Sequence, residues 1–269
     1  MLFISTSGAL GRYIDLSVPV TIGVRAILAF LLLVLYCKWK KISFKVQKED
    51  RFLVFLGGVL IAVHWITYFY ALQWSNVAIG MLSLFTYPVI TAFLEPILLK
   101  TKFQKTHLLL GALLLGGIYF LVPDFNFENS YSMAVAIGIF SALCYSLRNL
   151  LMKSKVSKYN GSMLMCYQTG ITGLILIPAF LFADFETVLT QWKGLVALAL
   201  LTTTIGHTLF LNSFRHFSIT TASILSGVTP VYGIIIGALF LSEIPSWMTI
   251  FGGVLILTSV LIESLRKHS

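Results

Sequence analysis

Apolar runs follow one another along this chain, and most are near the length of about 20 residues that a helix needs to cross a hydrocarbon core. They fall near residues 1–14, 18–36, 52–73, 76–99, 106–122, 131–152, 161–182, 192–213, 217–241 and 246–264. Charged residues make up 11% of the sequence, where a soluble domain carries roughly a quarter. One large soluble core does not fit runs that reach spanning length in succession. The expected fold is an all-α integral membrane protein with ten transmembrane helices. The first run is too short to cross at full thickness, and no basic segment or cleavage site marks a signal peptide. A shortened first helix is expected there, with a short tilted helix as the alternative.

Basic residues set the orientation. Lys38, Lys40, Lys41, Lys45, Lys48 and Arg51 follow the second run, and Lys100, Lys102 and Lys105 the fourth. Lys153, Lys155 and Lys158 follow the sixth, Arg215 the eighth, and Arg266 and Lys267 the tenth. With ten spans, all of these share one side. The opposite side holds Asp15, Asp124, Glu128, Asp184 and Glu186, with Arg12 and Lys193 as its basic residues. The positive-inside rule places both termini in the cytoplasm, in a multi-pass protein of the plasma or inner membrane. The net charge of +9 is therefore a topology signal and no nucleic-acid surface. Trp74, Trp192 and Trp247 fall at the predicted outer ends of spans, where amphipathic rings settle. Cys37, Cys144 and Cys166 have the spacing of neither a disulfide framework nor a zinc site, and no metal or other cofactor is expected.

A shift of 142 residues lays spans three to five over spans eight to ten without gaps. Pro88-Val89 then falls on Pro230-Val231, Leu99 on Leu241, Gly111 on Gly253, and Leu113 and Leu115 on Leu255 and Leu257. The turns Gln73 to Asn76 and Arg215 to Ser218 superpose as well. Two five-helix repeats follow, 1–122 and 131–265. Because five is odd, the second enters the bilayer from the opposite side. Inverted repeats of this kind recur in secondary transporters, with the solute site near the midplane where the repeats meet.

Tyr68-Phe-Tyr-Ala-Leu-Gln-Trp-Ser-Asn-Val-Ala78 and Leu84-Phe-Thr-Tyr-Pro-Val89 in the first half have counterparts in the second. These are Phe210-Leu-Asn-Ser-Phe-Arg215, Thr229-Pro-Val231, Leu241-Ser-Glu243 and Gly252-Gly253. On these segments the chain resembles the drug/metabolite transporter superfamily, in its EamA-type ten-helix branch, over nearly its whole length. The resemblance implies export of small organic metabolites, amino acids among them, through a central cavity. Two departures stand out: the short first helix, and Thr101 where the second half has Glu243.

Residues three or four apart share a helix face, so polar stripes can be read directly. His64 and Tyr68, with Trp65 beside them, mark span three; Ser83, Tyr87 and Thr91 mark span four. Ser141, Tyr145 and Arg148 mark span six; Thr203, Thr204 and His207 span eight; Ser223, Ser226 and Pro230 span nine; Ser5, Gly8 and Arg12 span one. These six spans are expected to form the cavity, with His64, Trp65, Tyr68, Ser83, Tyr87, Pro88, Tyr145, Arg148, Thr203, His207, Ser226 and Pro230 as its lining. Pro88 and Pro230 each free a backbone carbonyl four residues earlier, at Leu84 and Ser226. Either these carbonyls accept from solute or water, or the prolines simply kink their helices. Arg25 is expected to pair with a carbonyl or an aromatic face. Arg148 is expected to snorkel, with an inner gate as the alternative. Glu95 is expected to snorkel or pair locally. His64 and His207 are as readily hydrogen-bonded packing groups as transport groups.

No phosphate-binding Gly-x-x-x-x-Gly-Lys-Ser/Thr loop is present, and the aspartates all lie in predicted loops. Facilitated export follows, or at most a light proton coupling through His64, His207 or Glu95. The lining suits neutral or zwitterionic solutes with apolar or aromatic groups. An intramembrane enzyme is not expected, because none of its metalloprotease, serine-hydrolase or paired-aspartate signatures occurs. A channel, an enzyme without a recognisable motif and a membrane scaffold stay open as alternatives. The expected partners are a small-molecule solute and the lipid bilayer, with the chain a monomer or weak homodimer.

Overall fold

A computed structural model describes residues 1–99, 105–121, 126, 128–217, 222 and 226–265. Lys100, Thr101, Lys102, Asp124, Ser218, Ser223, Arg266 and Lys267 lie outside the described residues. The described residues are mostly helical, and no strand occurs among them. In order, its helices are α1 (Leu2–Tyr13), α2 (Val18–Trp39), α3 (Arg51–Trp74), α4 (Val77–Leu84), α5 (Tyr87–Leu99), α6 (Thr106–Leu121), α7 (Ser130–Val156) and α8 (Gly161–Ile175). There follow α9 (Phe185–Thr190), α10 (Trp192–Ser213), α11 (Val228–Leu241) and α12 (Trp247–Leu265). Five stretches are long and apolar enough to cross a membrane: Val18–Trp39, Lys48–Trp74, Val77–Leu98, Ser130–Val156 and Trp192–Ser213.

The distribution of polarity is that of a bundle in lipid. Ser141, Arg148, Gln168, Thr172 and Thr203 are completely buried, while Leu35, Ile97, Leu115 and Phe240 face outward. Hydrocarbon offers no hydrogen bonds, so polar groups turn inward and satisfy each other there.

Two interruptions shape the interior. The fourth span breaks at Phe85-Thr86 and restarts at Tyr87, with Pro88 in the first turn of α5, where its missing N–H costs little. Thr86 caps the break by donating its hydroxyl to the Ser83 carbonyl at 2.7 Å. Pro230 likewise sits in the first turn of α11. Within α10, residues Leu198–His207 are wound as a π-helix. Thr204 there bonds the carbonyl five residues back, at Ala199 (2.9 Å). Wide turns of this sort re-aim the side chains that follow, here Thr203 and His207.

The packing partners run across the chain's midpoint. α3 packs on α7 and α8, α2 on α8 and α10, α1 on α10 and α11, the α4–α5 pair on α7, and α6 on α12. Glycine permits two of the closest approaches. A β-carbon at Gly117 would stand 2.9 Å from the Gly252 carbonyl oxygen. One at Gly138 would stand 2.7 Å from the Ser83 β-carbon.

Gly138→Ala is accordingly expected to destabilise the protein by about 1–3 kcal/mol through overpacking. Thermal unfolding in detergent measures the loss, and Ser83→Gly in the same chain should restore part of it.

Candidate functional site

Where α1, α3, the α4–α5 break, α7, α10 and the start of α11 converge, they enclose a cavity of about 30 Å³. That is room for a water or two. Met1, Ile4 and Ser7 reach it from the first span, and His64, Trp65 and Tyr68 from α3. Met81, Leu84, Phe85 and Tyr87 come from around the break, and Tyr145 from α7. His207, Phe210, Ser226 and Thr229 complete it. Among the described residues, none from α2, α6, α8 or α12 lines it.

The centre is an aromatic and imidazole stack. Tyr145 lies flat against His64 with ring centres 4.5 Å apart, and meets Tyr87 edge-on at 5.0 Å. His207 stands edge-on to Trp65 at 5.5 Å. The Tyr87 and Ser226 hydroxyls hydrogen-bond each other, joining the start of α5 to the residues just before α11. Ser146 donates to the Tyr87 carbonyl at 2.9 Å, which holds α5 against α7. His64 is oriented by Ser141: the serine hydroxyl donates to the His64 carbonyl (2.8 Å) and lies 2.8 Å from Nδ1. A serine has one proton to give, so Nδ1–H is the donor to Oγ. Three lining residues have buried polar atoms without a protein partner among the described residues: Trp65 Nε1, His207 Nδ1 and Thr229 Oγ1. Buried polar atoms are rarely left so, and these three belong to residues that wall the cavity.

Seven of the sequence candidates line the cavity: His64, Trp65, Tyr68, Tyr87, Tyr145, His207 and Ser226. The other five stand behind it. Ser83 donates to the Gly80 carbonyl at 3.0 Å and packs on Gly138, and Pro88 and Pro230 set the helix starts. Thr203 accepts from Arg25 Nε at 2.6 Å. Arg25 also lies over the Trp65 ring at 4.2 Å from its centre, the aromatic pairing expected of it. A desolvated contact of this kind contributes about 2 kcal/mol. Arg148 does not snorkel. It is completely buried, donating to Gln168 Oε1 from Nε (2.8 Å) and Nη2 (2.6 Å) and to Asn149 Oδ1 (3.0 Å). It continues the inward stripe of Ser141 and Tyr145, so its head meets α8 instead of the bundle's end. Phe210 and Thr229 escaped the polar-stripe reading, although Phe210 sits one turn from His207. Ser7 lies off the stripe that Ser5, Gly8 and Arg12 mark on α1.

Two polar clusters stand at opposite ends of the bundle. At one, Glu243 accepts from Arg12 Nε at 2.9 Å and from the Val77 backbone N–H at 2.7 Å, while Arg12 also reaches the Gln73 carbonyl. At the other, Asp50 accepts from Lys155 (2.6 Å), Tyr159 (2.7 Å) and Lys158 (3.3 Å). Burial and the bond to Asp50 push the Tyr159 hydroxyl above its ordinary pKa, so it stays a donor. At the same end Arg215 donates to the Val156 and Tyr159 carbonyls, and Lys153 to those of Phe214 and Phe217. Each cluster ties residues before position 122 to residues after 131.

The chain belongs to the EamA-like transporter family, which matches residues 1–122 and 132–265. It is a multi-pass membrane protein of the drug/metabolite transporter superfamily. It is similar to the pseudopaline exporter CntI of Pseudomonas aeruginosa, with 22% identity over 87% of this chain and 82% of that protein. It is also similar to an uncharacterised transporter of Archaeoglobus fulgidus (26% identity, 73% of this chain and 70% of that protein). Human solute carrier family 35 member G1 is 24% identical, over 88% of this chain and 69% of its own length. A solved crystal structure shares the fold with a TM-score of 0.70 at 14% identity, covering 98% of this chain and 93% of its own.

Asp50→Ala is expected to cost about 1–3 kcal/mol, because it leaves Lys155 buried without its partner. Lys158→Ala, at the exposed arm of the same cluster, should cost less than about 1 kcal/mol. Thermal unfolding of the two variants in detergent checks the ranking.

Proposed function

We propose that this protein is a secondary or facilitative carrier that moves small organic solutes by alternating access, through a site between two inverted five-helix repeats. The observation that carries this reading is the pairing of lining residues under the 142-residue shift. Trp65 pairs with His207, Tyr68 with Phe210, Leu84 with Ser226, and Tyr87 with Thr229, and all eight face one cavity. The helix packing has the same exchange symmetry. α3 against α7 corresponds to α10 against α1, α3 against α8 to α10 against α2, and the α4–α5 pair against α7 to α11 against α1. Contacts of α2 with α8 and of α6 with α12 map onto themselves. A bundle with this symmetry has two arrangements related by swapping the roles of its halves, which is the physical basis of alternating access.

In this reading the cavity is occluded, and the Arg12–Glu243 and Asp50–Lys155 clusters close its two ends. Both termini lie in the cytoplasm of a plasma or inner membrane, with the lysine-rich Asp50 end inside. Solutes carrying a carboxylate, amino acids among them, are favoured over cations. Arg25 and Arg148 are buried beside the site, and their hydrogen-bond partners among the described residues are neutral. Trp65 Nε1, His207 Nδ1 and Thr229 Oγ1 fix the polar end of the solute, and the rings of Tyr68, Tyr87, Tyr145 and Phe210 hold its apolar part. The name of the Pseudomonas relative supports export as the direction.

Counterflow in proteoliposomes against a panel of zwitterionic and cationic solutes tests the proposal. Saturable exchange of zwitterions is expected. It should fall about tenfold or more in Tyr87→Ala and His64→Ala, the loss that goes with about 1.4 kcal/mol of binding. Leu181→Ala, on the outward face, should leave it unchanged. Full exchange in both cavity variants would overturn the assignment, and conductance without saturation would make the protein a channel.

A further inference from the structure

Outside the cavity, a groove of about 1100 Å³ lies at the lysine-rich end, between residues 42–47 and the first turns of α3 and α8. The 42–47 segment runs extended across α8. Ile42, Phe44 and Val46 turn inward against the core, while Ser43, Lys45 and Gln47 face out. Tyr167 on α8 pins it by donating to the Phe44 carbonyl at 2.7 Å, and the Gln47 N–H donates to the Tyr159 hydroxyl at 3.1 Å.

The groove's mouth is cationic. Lys45, Arg51 and Lys158 line it and are exposed. Two acids are near: Asp50, whose oxygens are already taken by Lys155 and Tyr159, and Glu49, which is exposed and not part of the groove's lining. Lys158 is its loosest partner, at 3.3 Å with a side chain 55% exposed, so it can turn outward without leaving Asp50 unpaired. Arg51 is held by a single long contact, 3.5 Å from Nε to the Val46 carbonyl.

The groove does not end there. A second furrow, about 430 Å³ and apolar, continues along α8 against Ile27, Phe30 and Leu31 of α2. The two share Tyr167 and Ile171. Together they run from Asn160 to Ile177, roughly 25 Å at 1.5 Å per helical residue. A cationic mouth opening into an apolar trough of that length, parallel to a membrane-spanning helix, matches a molecule with an anionic head and a long hydrocarbon tail.

We propose that this composite groove is a binding site for one anionic phospholipid. Its phosphate is held by Lys45, Arg51 and Lys158, and one acyl chain lies along α8 between Phe30 and Ile171. The lipid is an accessory ligand, separate from the transported solute. It wedges the 42–47 segment against α8 and so steadies the Asp50 end of the bundle. The inference needs the membrane setting alone, and it stands or falls independently of the transport mechanism.

Native mass spectrometry of the full chain in neutral detergent tests it, using equimolar dioleoyl phosphatidylglycerol and dioleoyl phosphatidylcholine. Phosphatidylglycerol should be retained about tenfold over phosphatidylcholine, as expected for cationic side chains near a lipid surface. Lys45→Gln with Arg51→Gln should abolish the preference, and Lys158→Gln alone should weaken it. Lys38→Gln with Lys40→Gln, on the same connection but outside the groove, should keep it. Glycerol 3-phosphate, the head without the tails, should not displace the lipid. Equal retention of the two lipids would overturn the site, as would a preference that survives the Lys45 and Arg51 changes. So would equal loss in the Lys38 and Lys40 control, or displacement by glycerol 3-phosphate, which would make it a soluble-anion site.

Discussion

Hydrocarbon gives no hydrogen bonds, and nearly every local feature of this bundle answers to that. A polar side chain in a spanning helix must find its partner inside, or the helix is costly to insert. Arg148 finds Gln168 and Asn149, Arg25 finds Thr203 and the Trp65 face, and Ser141 and His64 satisfy one another. The Arg148 bonds stay within the second half, reaching α8 and its own neighbour, whereas the Arg25–Thr203 and Ser141–His64 bonds cross between helices from the two halves of the chain. They fix the register of the halves while the outer faces stay apolar.

The same constraint explains where irregular backbone is allowed. The break before Tyr87 and the π-helical turns of α10 sit where protein surrounds them. Each carries a side-chain bond to a nearby carbonyl: Thr86 to Ser83, Thr204 to Ala199. Tyr87, at the start of α5, and Ser226, just before α11, bond directly across the cavity. A contact of this kind is local and polar, and it can open without unpacking the apolar seams between α3 and α7 or between α6 and α12. The end clusters are built alike. Glu243 neutralises Arg12 and also caps the N-terminus of α4, so one carboxylate joins three segments.

Much of this was legible in the sequence, for a physical reason. Helix positions follow from apolar length, and most predicted windows lie within a few residues of the helices described. The seventh, 161–182, does not, because α8 ends at Ile175 and Ile177–Phe182 is wound separately as a 3-10 helix. Polar stripes pointed to the helices that meet at the cavity, because residues facing lipid cannot be polar. Partners across helices were not legible. Arg148 looked like a snorkelling group from its nearness to a helix end, and only the position of Gln168 on α8 shows why it stays inside. Thr203 carried the right polarity for a lining, yet the π-helical winding turns it onto Arg25. Thr229 escaped notice because its stripe on the ninth span was read through Ser226 and Pro230. Ser7 and Phe210 depend on how α1 and α10 are rotated, which periodicity alone leaves open.

The central claim is that two halves of one chain rock about a shared cavity, closing one end as the other opens. Spin-label distances in lipid nanodiscs address it most directly, with one pair at Trp74 and Ile244 beside the Arg12–Glu243 cluster and another at Glu49 and Ser157 beside Asp50–Lys155. The account predicts two distance populations in each pair. Changes that break Glu243 should widen the first pair and narrow the second. A single unchanged distribution at both ends, or widening of both together, would contradict it.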